Sequence, residues 1–316
     1  MYPMPGMMPE ITLTPTFANM SADKIPRDLI IERIKGCSRL PSLRSIDSAL
    51  RELLNAEGRY TTQISEIIRR DPSLTARLLR LVNSVYYGLT TPVNNIEEAV
   101  FYLGVRQIRQ LATVTPIIED FQKLAGNTPF PWRKFWQHCI ATAIITREIT
   151  HVTGLAVDEA DYVAGLVHDV GKIVMAASFP SHFAEVNRLV KEGEATQLEA
   201  EQLILGMDHT ELGGIYLEHH HLPPVMVETA RFHHEPARAS QYASIVASVQ
   251  IADLLVRHAE IGNSGNTEKV KEEDWHKAEG WNILFPSGRV ESERSIAHAA
   301  LTRSLERLPT ILEGLV

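Results

Sequence analysis

The sequence predicts an all-α fold, and three observations support that prediction. Apolar residues recur at intervals of three and four along nearly the whole chain, which is the period of an amphipathic helix. No run of residues shows the strict alternation of a half-buried strand. Hydrophobic residues make up 44% of the 316 residues and charged residues 22%, as in globular proteins with a substantial core.

The first helical part is expected over residues 21–125, after a flexible segment of residues 1–20 that prolines interrupt. Its helical segments begin with RDLIIERIKGC and, after the extended break RLPSL, continue through SIDSALRELLNAE and TTQISEIIRR. A further helix in DPSLTARLLRLVNSVYYG has Asp71 as its expected N-cap and Gly88 at its end. Two more helices meet near Gly104.

A boundary is predicted in AGNTPFPW, where glycine, asparagine and two prolines cluster. All 13 histidines follow it, so a second helical part, residues 126–258, is the expected place for any chemistry. Residues 259–316 are predicted to form a polar loop or a short helix pair. A C-terminal helix then follows, whose apolar stripe packs back on the body.

Composition and charge exclude several classes of protein. The net charge of −8 argues against a dedicated nucleic-acid binder, and the basic stretch RRDPSLTARLLR is better explained as a solvated helix face. Only Cys37 and Cys139 occur, which excludes a disulfide framework or a cysteine-rich zinc module and fits a reducing cytoplasm. No segment approaches the ~20 apolar residues of a membrane span, so no membrane partner is expected.

The segment AGLVHDVGKIV places three polar residues in what is predicted to be one apolar helix. At helical spacing His168 and Lys172 are four residues apart and Asp169 and Lys172 three, so all can face one pocket. The flanking Gly165 and Gly171 indicate close approach of another element. The pattern fits a metal-dependent active site, a structural metal site or a buried ion pair.

Other histidines lie at predicted helix positions. His138 is inside an amphipathic helix, where alone it would more often be a core or surface residue. His209 falls in the first turn of a helix that Asp208 and Glu211 open as a capping box, so Asp208 is a cap rather than a ligand. The run His219–His221 lies at a helix end before LPP, and we expect it to be solvent-exposed.

Two further elements complete the list of candidates. His233 and His234 stand at a helix end before Pro236, where they could cap the helix or bind metal. Asp253 interrupts the apolar face of ASVQIADLLVR, and a buried carboxylate there needs a cation.

Nitrogen and carboxylate ligands without thiolates suit divalent iron, manganese or zinc better than a soft metal. Two such ions bring a charge of +4, of which Asp169 and Asp253 offset only part. The remaining positive charge favours a hydroxide and attracts a phosphate, which suits phosphoester hydrolysis.

The order of these residues resembles the HD superfamily of metal-dependent phosphohydrolases, and more closely the bimetallic HD-GYP phosphodiesterases. The resemblance implies an HD-domain-like bundle in which the aspartate of the HD pair bridges two ions and Lys172 contacts substrate phosphate. Asp169 and Lys172 are then the expected catalytic residues. The implied metal ligands are His138, His168, Asp169, His209, His233, His234 and Asp253. No Gly-Tyr-Pro follows HHEP, so recognition of cyclic di-GMP by the usual residues of that family is not expected. Lys134 stands where some relatives carry a third-metal glutamate, so no third ion is expected.

The upstream part is similar to the HDOD domain, the HD-related output domain of bacterial signalling proteins. The similar segments are LPSL, IIRRDPSLTARLLRLVNSVYYG and IEEAVFYLGVRQIRQLA, within residues 25 to 255. This resemblance implies an N-terminal HDOD bundle, a cytoplasmic bacterial setting and a signalling partner acting in trans. Two hypotheses follow: a phosphohydrolase acting on a phosphorylated or nucleotide ligand, or a non-enzymatic scaffold in which a metal or nucleotide controls partner binding.

Overall fold

The computed structural model describes most of the second half of the chain and parts of the first. The described residues are 25–37, 78–79, 82–83, 91–104, 123–124, 126–155, 160–286, 299, 301–306, 308 and 312. The flexible segment 1–20, the helices predicted between RLPSL and residue 77, and the second helix after Gly104 lie mostly or wholly outside them.

The structure is built from helices, as the sequence predicts, and no strand occurs within the described ranges. A short helix at residues 96–104 precedes the second half, and a 3₁₀ turn spans Pro236–Arg238. The longer elements are α1 (Arg27–Lys35), α2 (Trp132–Val152), α3 (Ala160–Val167), α4 (Val170–Ser178), α5 (Pro180–Lys191), α6 (Gln197–Ile204), α7 (His209–His219), α8 (Pro224–Phe232), α9 (Ala243–His258), α10 (Glu272–Lys277) and α11 (Glu279–Leu284).

The long helix α2 forms the centre of the core. It is apolar around most of its circumference, and Phe135, Trp136, Ile140 and Ile145 are among its buried side chains. A helix of that kind must be covered on several sides. It packs on α3 and α9, while α7 packs on α4 and α8. This packing brings the candidate metal ligands, which lie on five different segments of the chain, around one point in the interior.

Two glycines let neighbouring helices approach closely, as the sequence indicates. A Cβ on Gly165 would lie 2.8 Å from Cα of Ala143, so α3 rests directly on α2. A Cβ on Gly171 would overlap the carbonyl of His209, so α4 touches the backbone at the start of α7. The second contact sets the position of His209 next to the HD pair.

The prediction of one continuous helix through AGLVHDVGKIV is wrong. α3 ends at Val167, and α4 begins at Val170 with Asp169 as its N-cap residue. The ring Nδ1 of His168 lies 2.8 Å from the carbonyl oxygen of Gly165, so the side chain competes for a group that an unbroken helix would pair with its own backbone. The HD pair therefore occupies a turn between two helices.

The start of α7 corrects a second prediction. Asp208 is the N-cap, as expected, and accepts hydrogen bonds from the backbone N–H groups of Thr210 and Glu211. Glu211, however, does not complete a capping box. Its carboxylate accepts two hydrogen bonds, of 2.8 and 3.2 Å, from the guanidinium of Arg27 on α1. The side chain of Glu211 thus ties α7 to α1.

The segment after α9 contains the predicted short helix pair, α10 and α11, preceded by a loop of residues 260–270. The loop is less exposed than expected, because Gly262 lies against the backbone of α2 and Ser264 is buried. Among the described residues of the last segment, Leu301, Leu308 and Leu312 are buried in the core, in agreement with the predicted packing. None of the described helices combines the length and apolar character that a bilayer crossing requires.

Candidate metal centre

The seven predicted ligands lie close together, six of them buried and His234 half-buried; they form two adjoining groups of three, and Asp169 forms a third group with His168 and His233 that overlaps both. The first group consists of His138 on α2, His168 in the HD turn and Asp253 on α9. All three are buried, and Nε2 of His138 lies 3.1 Å from Oδ1 of Asp253. This group is the candidate first metal position.

The second group is formed by His209, His233 and His234. His209 is the first residue of α7, and His233 is the C-cap of α8. The Nε2 atoms of His209 and His234 are 3.2 Å apart. Three imidazoles that meet through ring nitrogens suit a divalent transition metal, so this group is the candidate second position.

The carboxylate of Asp169 joins the two groups. Its Oδ1 lies 3.2 Å from Nε2 of His209 and 3.8 Å from Nε2 of His233. Its Oδ2 lies 3.5 Å from Nε2 of His168. An aspartate with one oxygen toward each group has the arrangement that a bridging ligand requires.

The histidines are oriented by the nitrogen that faces away from the centre. Nδ1 of His168 contacts the carbonyl of Gly165, and Nδ1 of His233 lies 3.1 Å from the carbonyls of Thr229 and Ala230. A carbonyl at Nδ1 fixes the hydrogen there and leaves the lone pair on Nε2. Within the part of the chain that the structure describes, the buried Nε2 atoms of His168 and His233 have no hydrogen-bond partner, whereas Nε2 of His138 faces the carboxylate of Asp253. Such buried bases fit a metal ion.

The protonation states favour ligation at three of the rings. Burial lowers the pKa of His168 and of His233, and burial together with the charge of His209 lowers the pKa of His234 to about 4. These three imidazoles are therefore neutral near pH 7, as metal ligands must be. Burial would also lower the pKa of His209, but the Glu201 carboxylate outweighs it and raises that pKa to about 9.

The acids of the centre stay ionised. Burial alone would raise the pKa of Asp169, but Lys172 and His168 outweigh it and hold that pKa well below its ordinary value. His138 and Arg257 have the same effect on Asp253. The Nζ atom of Lys172 lies 2.7 Å from Oδ2 of Asp169, so the predicted pair at spacing three is formed. Asp169 and Lys172, the two predicted catalytic residues, thus lie where the two groups of candidate ligands meet.

Two charged residues of the site were not predicted from the sequence. Glu201 on α6 is fully buried and accepts hydrogen bonds from the ring Nδ1 and the backbone N–H of His209, at 2.6 and 2.9 Å. Arg257 lies one turn after Asp253 on α9, with its Nη1 3.5 Å from Oδ2 of Asp253. Glu201 stands in a polar segment, LEAEQLI, where nothing in the spacing separates it from solvated acids.

The triple histidine run lies away from this centre. His219 and His221 are exposed, as predicted, whereas His220 is half-buried with its ring against Tyr216. None of the three belongs to a metal-ligating group among the described residues.

The fold and the site together define an all-α protein with a histidine–aspartate centre of the HD type. Residues 40–236 match the HDOD domain, which is more than half of the chain, so the chain belongs to the HDOD family. His138 to His234 fall within the matched residues, and Asp253 falls beyond them.

Similar proteins support the family and the fold. An HDOD domain protein of unknown function from Geobacter sulfurreducens is 25% identical with a TM-score of 0.71, over 90% of this chain and 97% of that one. A candidate phosphohydrolase from Shewanella amazonensis is 23% identical with a TM-score of 0.63, over 91% and 98%. An uncharacterised protein from Treponema pallidum is 25% identical over 69% of this chain, which spans only 43% of that relative's length.

Proposed function

We propose that this HDOD protein is a signalling protein that binds two divalent ions in its interior. With these ions it would hydrolyse a phosphoester. The observation that carries the proposal is the pair of buried Nε2 atoms of His168 and His233, which face Asp169 and have no hydrogen-bond partner among the described residues. A core ion-pair network has no use for imidazole lone pairs without donors, because unsatisfied buried polar atoms are costly.

Each residue has a role set by its position. His138, His168 and Asp253 would hold one ion and His209, His233 and His234 the other, with Asp169 between the two groups. When bound, such ions would provide the Lewis acidity that phosphoester hydrolysis needs. Asp169 orients the attacking group, and Lys172 leaves Asp169 to neutralise a phosphate oxygen. Nitrogen and oxygen ligands favour iron, manganese or zinc.

Metal analysis tests the centre. We expect about two equivalents of metal in protein purified without chelator, and substantial loss in Asp169→Asn. Asp161→Asn is a matched control, because Asp161 is equally buried but pairs with Arg147 at 2.6 Å, away from the centre. Metal-free wild-type protein, or equal metal content in both variants, would remove the basis of the proposal.

Turnover is tested separately with a panel of phosphomonoesters and cyclic and linear dinucleotides. We expect metal-dependent release of product by the wild type and by Asp161→Asn, and none by Asp169→Asn. A metal-loaded protein that hydrolyses nothing on the panel would exclude the enzymatic part of the proposal.

One observation favours the alternative of a non-enzymatic scaffold. Helix α1, from the first part of the chain, contacts both α4 and α7; Asp169 is the N-cap of α4, and His209 is the first residue of α7. The Arg27–Glu211 pair secures that contact. A metal or nucleotide bound at the centre could therefore shift the conformation of the first part of the chain, and so its binding to a signalling partner. The scaffold hypothesis predicts that the protein captures a signalling partner only when metal is bound, and that this capture is lost in Arg27→Gln.

A further inference from the structure

Arg257 is a guanidinium without a close partner at the edge of the metal centre. Its Nη1 is 3.5 Å from Asp253, and its Nη2 is 3.4 Å from the carbonyl oxygen and 3.8 Å from the carboxylate of Glu268. Its buried Nε has no hydrogen-bond partner among the residues that the structure describes. Hydrogen bonds from arginine to an anion normally measure about 2.7–2.9 Å, so most of its donor capacity is unused.

The position of Arg257 connects two cavities. The smaller, of about 130 Å³, lies over the metal centre and is bordered by Asp169, Lys172, His209 and Asp253. The larger, of about 590 Å³, lies under the loop of residues 260–270. Arg257, Ser264, Asn266 and Glu268 line both.

The two cavities differ in what they can hold. A volume of about 130 Å³ admits a phosphate and little more, whereas ligand pockets for whole small molecules are typically about 300–1,000 Å³. Most residues that line the larger cavity have polar or charged side chains, Asn263, Asn266 and Thr267 among them, and polar and apolar atoms share its surface about equally. A polar group of sugar or nucleoside size suits that wall better than an acyl chain does.

The loop that forms this wall is fixed on the protein. Gly262 has φ +71°, and a Cβ there would overlap the backbone of α2 at Lys134 and His138. The N–H of Asn263 donates to the carbonyl of Lys134 at 2.9 Å. The larger cavity is therefore a built feature next to a metal ligand.

We propose that Arg257 is a second phosphate-binding residue, acting with Lys172, and that the loop cavity beside it holds the polar organic group of a phosphate ester. The inference rests on the metal centre proposed above and adds the substrate class to it. Arg257 turns from its long contacts with Asp253 and Glu268 to the phosphate, and the ester group passes Arg257 into the larger cavity.

Calorimetry on metal-loaded protein, with metal content measured in each sample, tests the role of Arg257. The probe is inorganic phosphate. We expect Arg257→Gln to keep its metal and weaken phosphate binding about tenfold or more, since a charge-assisted hydrogen bond is lost. Arg257→Lys should recover part of the lost phosphate affinity. Arg188→Gln, which removes the same charge from a surface cluster on α5, should bind as the wild type does. Binding within twofold of wild type in Arg257→Gln, or a loss explained wholly by missing metal, would overturn the proposal.

A second comparison tests the cavity. We expect adenosine 5′-monophosphate to bind more tightly than inorganic phosphate or phenyl phosphate, and Thr267→Trp at the exposed rim to abolish that preference while leaving phosphate binding intact. Equal affinity of the wild type for all three probes would refute the subsite. Because these measurements follow binding, a wild type that binds but never turns over counts against the proposed hydrolysis alone.

Discussion

The carboxylate of Glu201 is expected to set the affinity of the second metal position through His209. Glu201→Gln keeps the shape of the side chain and an oxygen that can accept from His209; it removes the charge and turns the oxygen that faces Gln197 into an NH2 donor. Glu201 makes its two contacts to His209 at 2.6 and 2.9 Å and accepts a further hydrogen bond from Gln197 at 2.6 Å. The buried side chain therefore has no room to adopt another arrangement.

Two considerations set the expected effect of Glu201→Gln on metal affinity and on the pKa of His209. Replacing the hydrogen-bond partner of a metal-bound histidine costs about 10- to 100-fold in metal affinity, or about 1.4 to 2.7 kcal/mol. In the metal-free protein the carboxylate is the principal group raising the pKa of His209 from 6.5 to about 9, which represents about 3 kcal/mol in favour of the charged ring. The variant should thus lose one ion preferentially, and the pKa of its His209 should fall below the wild-type value of about 9.

The assay combines competition with a metal-binding dye and histidine NMR of the metal-free protein. Glu199→Gln is the matched control, because it removes an exposed charge from the same helix and keeps the cap at Thr196. If Glu201→Gln binds two ions within twofold of wild-type affinity and His209 still titrates near 9, the orienting role of Glu201 is refuted.

Three further predictions concern stability. Gly171→Ala should displace His209, lower the free energy of unfolding by about 1–3 kcal/mol through overpacking and weaken binding of the second ion. Gly36→Ala, where the nearest contact of the new Cβ is 3.5 Å away, should change stability and metal content little. Thermal unfolding and metal analysis measure both effects. Glu228→Gln should cost about 1 kcal/mol, because its carboxylate accepts from the N–H groups of residues 240–242 that lead into α9. Those hydrogen bonds lower the pKa of Glu228, so its contribution is present above the ordinary pKa of 4.5 and is lost as pH falls through the lowered value; wild type and variant should then converge in acid urea titrations. Chelation should lower the unfolding free energy by about 2.7 kcal/mol for free metal at a hundredfold excess over Kd, and an unchanged melting temperature would contradict bound metal.

The periodicity of the sequence predicted the helices well where the chain is described. α2, α7 and α9 were expected, and each carries its histidine or aspartate where the spacing placed it. The exception is the turn at His168, because periodicity reports which face is apolar and is blind to a side chain that competes for a backbone carbonyl.

The ligand set came from a resemblance in the order of residues, and the structure brings all seven together. The groups around them could not be found in this way. Glu201 and Arg257 are acidic and basic residues in segments where such residues are usually solvated, and only tertiary packing buries Glu201 and partly covers Arg257. Gly262 likewise has meaning only once the loop meets α2.

The gathering of ligands from distant parts of the chain makes a bound ion a cross-link. His138 and Asp253 are 115 residues apart in sequence, yet the two side chains meet within 3.1 Å. A bond that closes so long a loop restricts the unfolded chain much as a disulfide does, by an amount that grows with the logarithm of loop length. If the proposed ion binds there, its complete ligand set would exist only after α9 has docked on α2, so full-affinity metal uptake would follow the docking of these two helices.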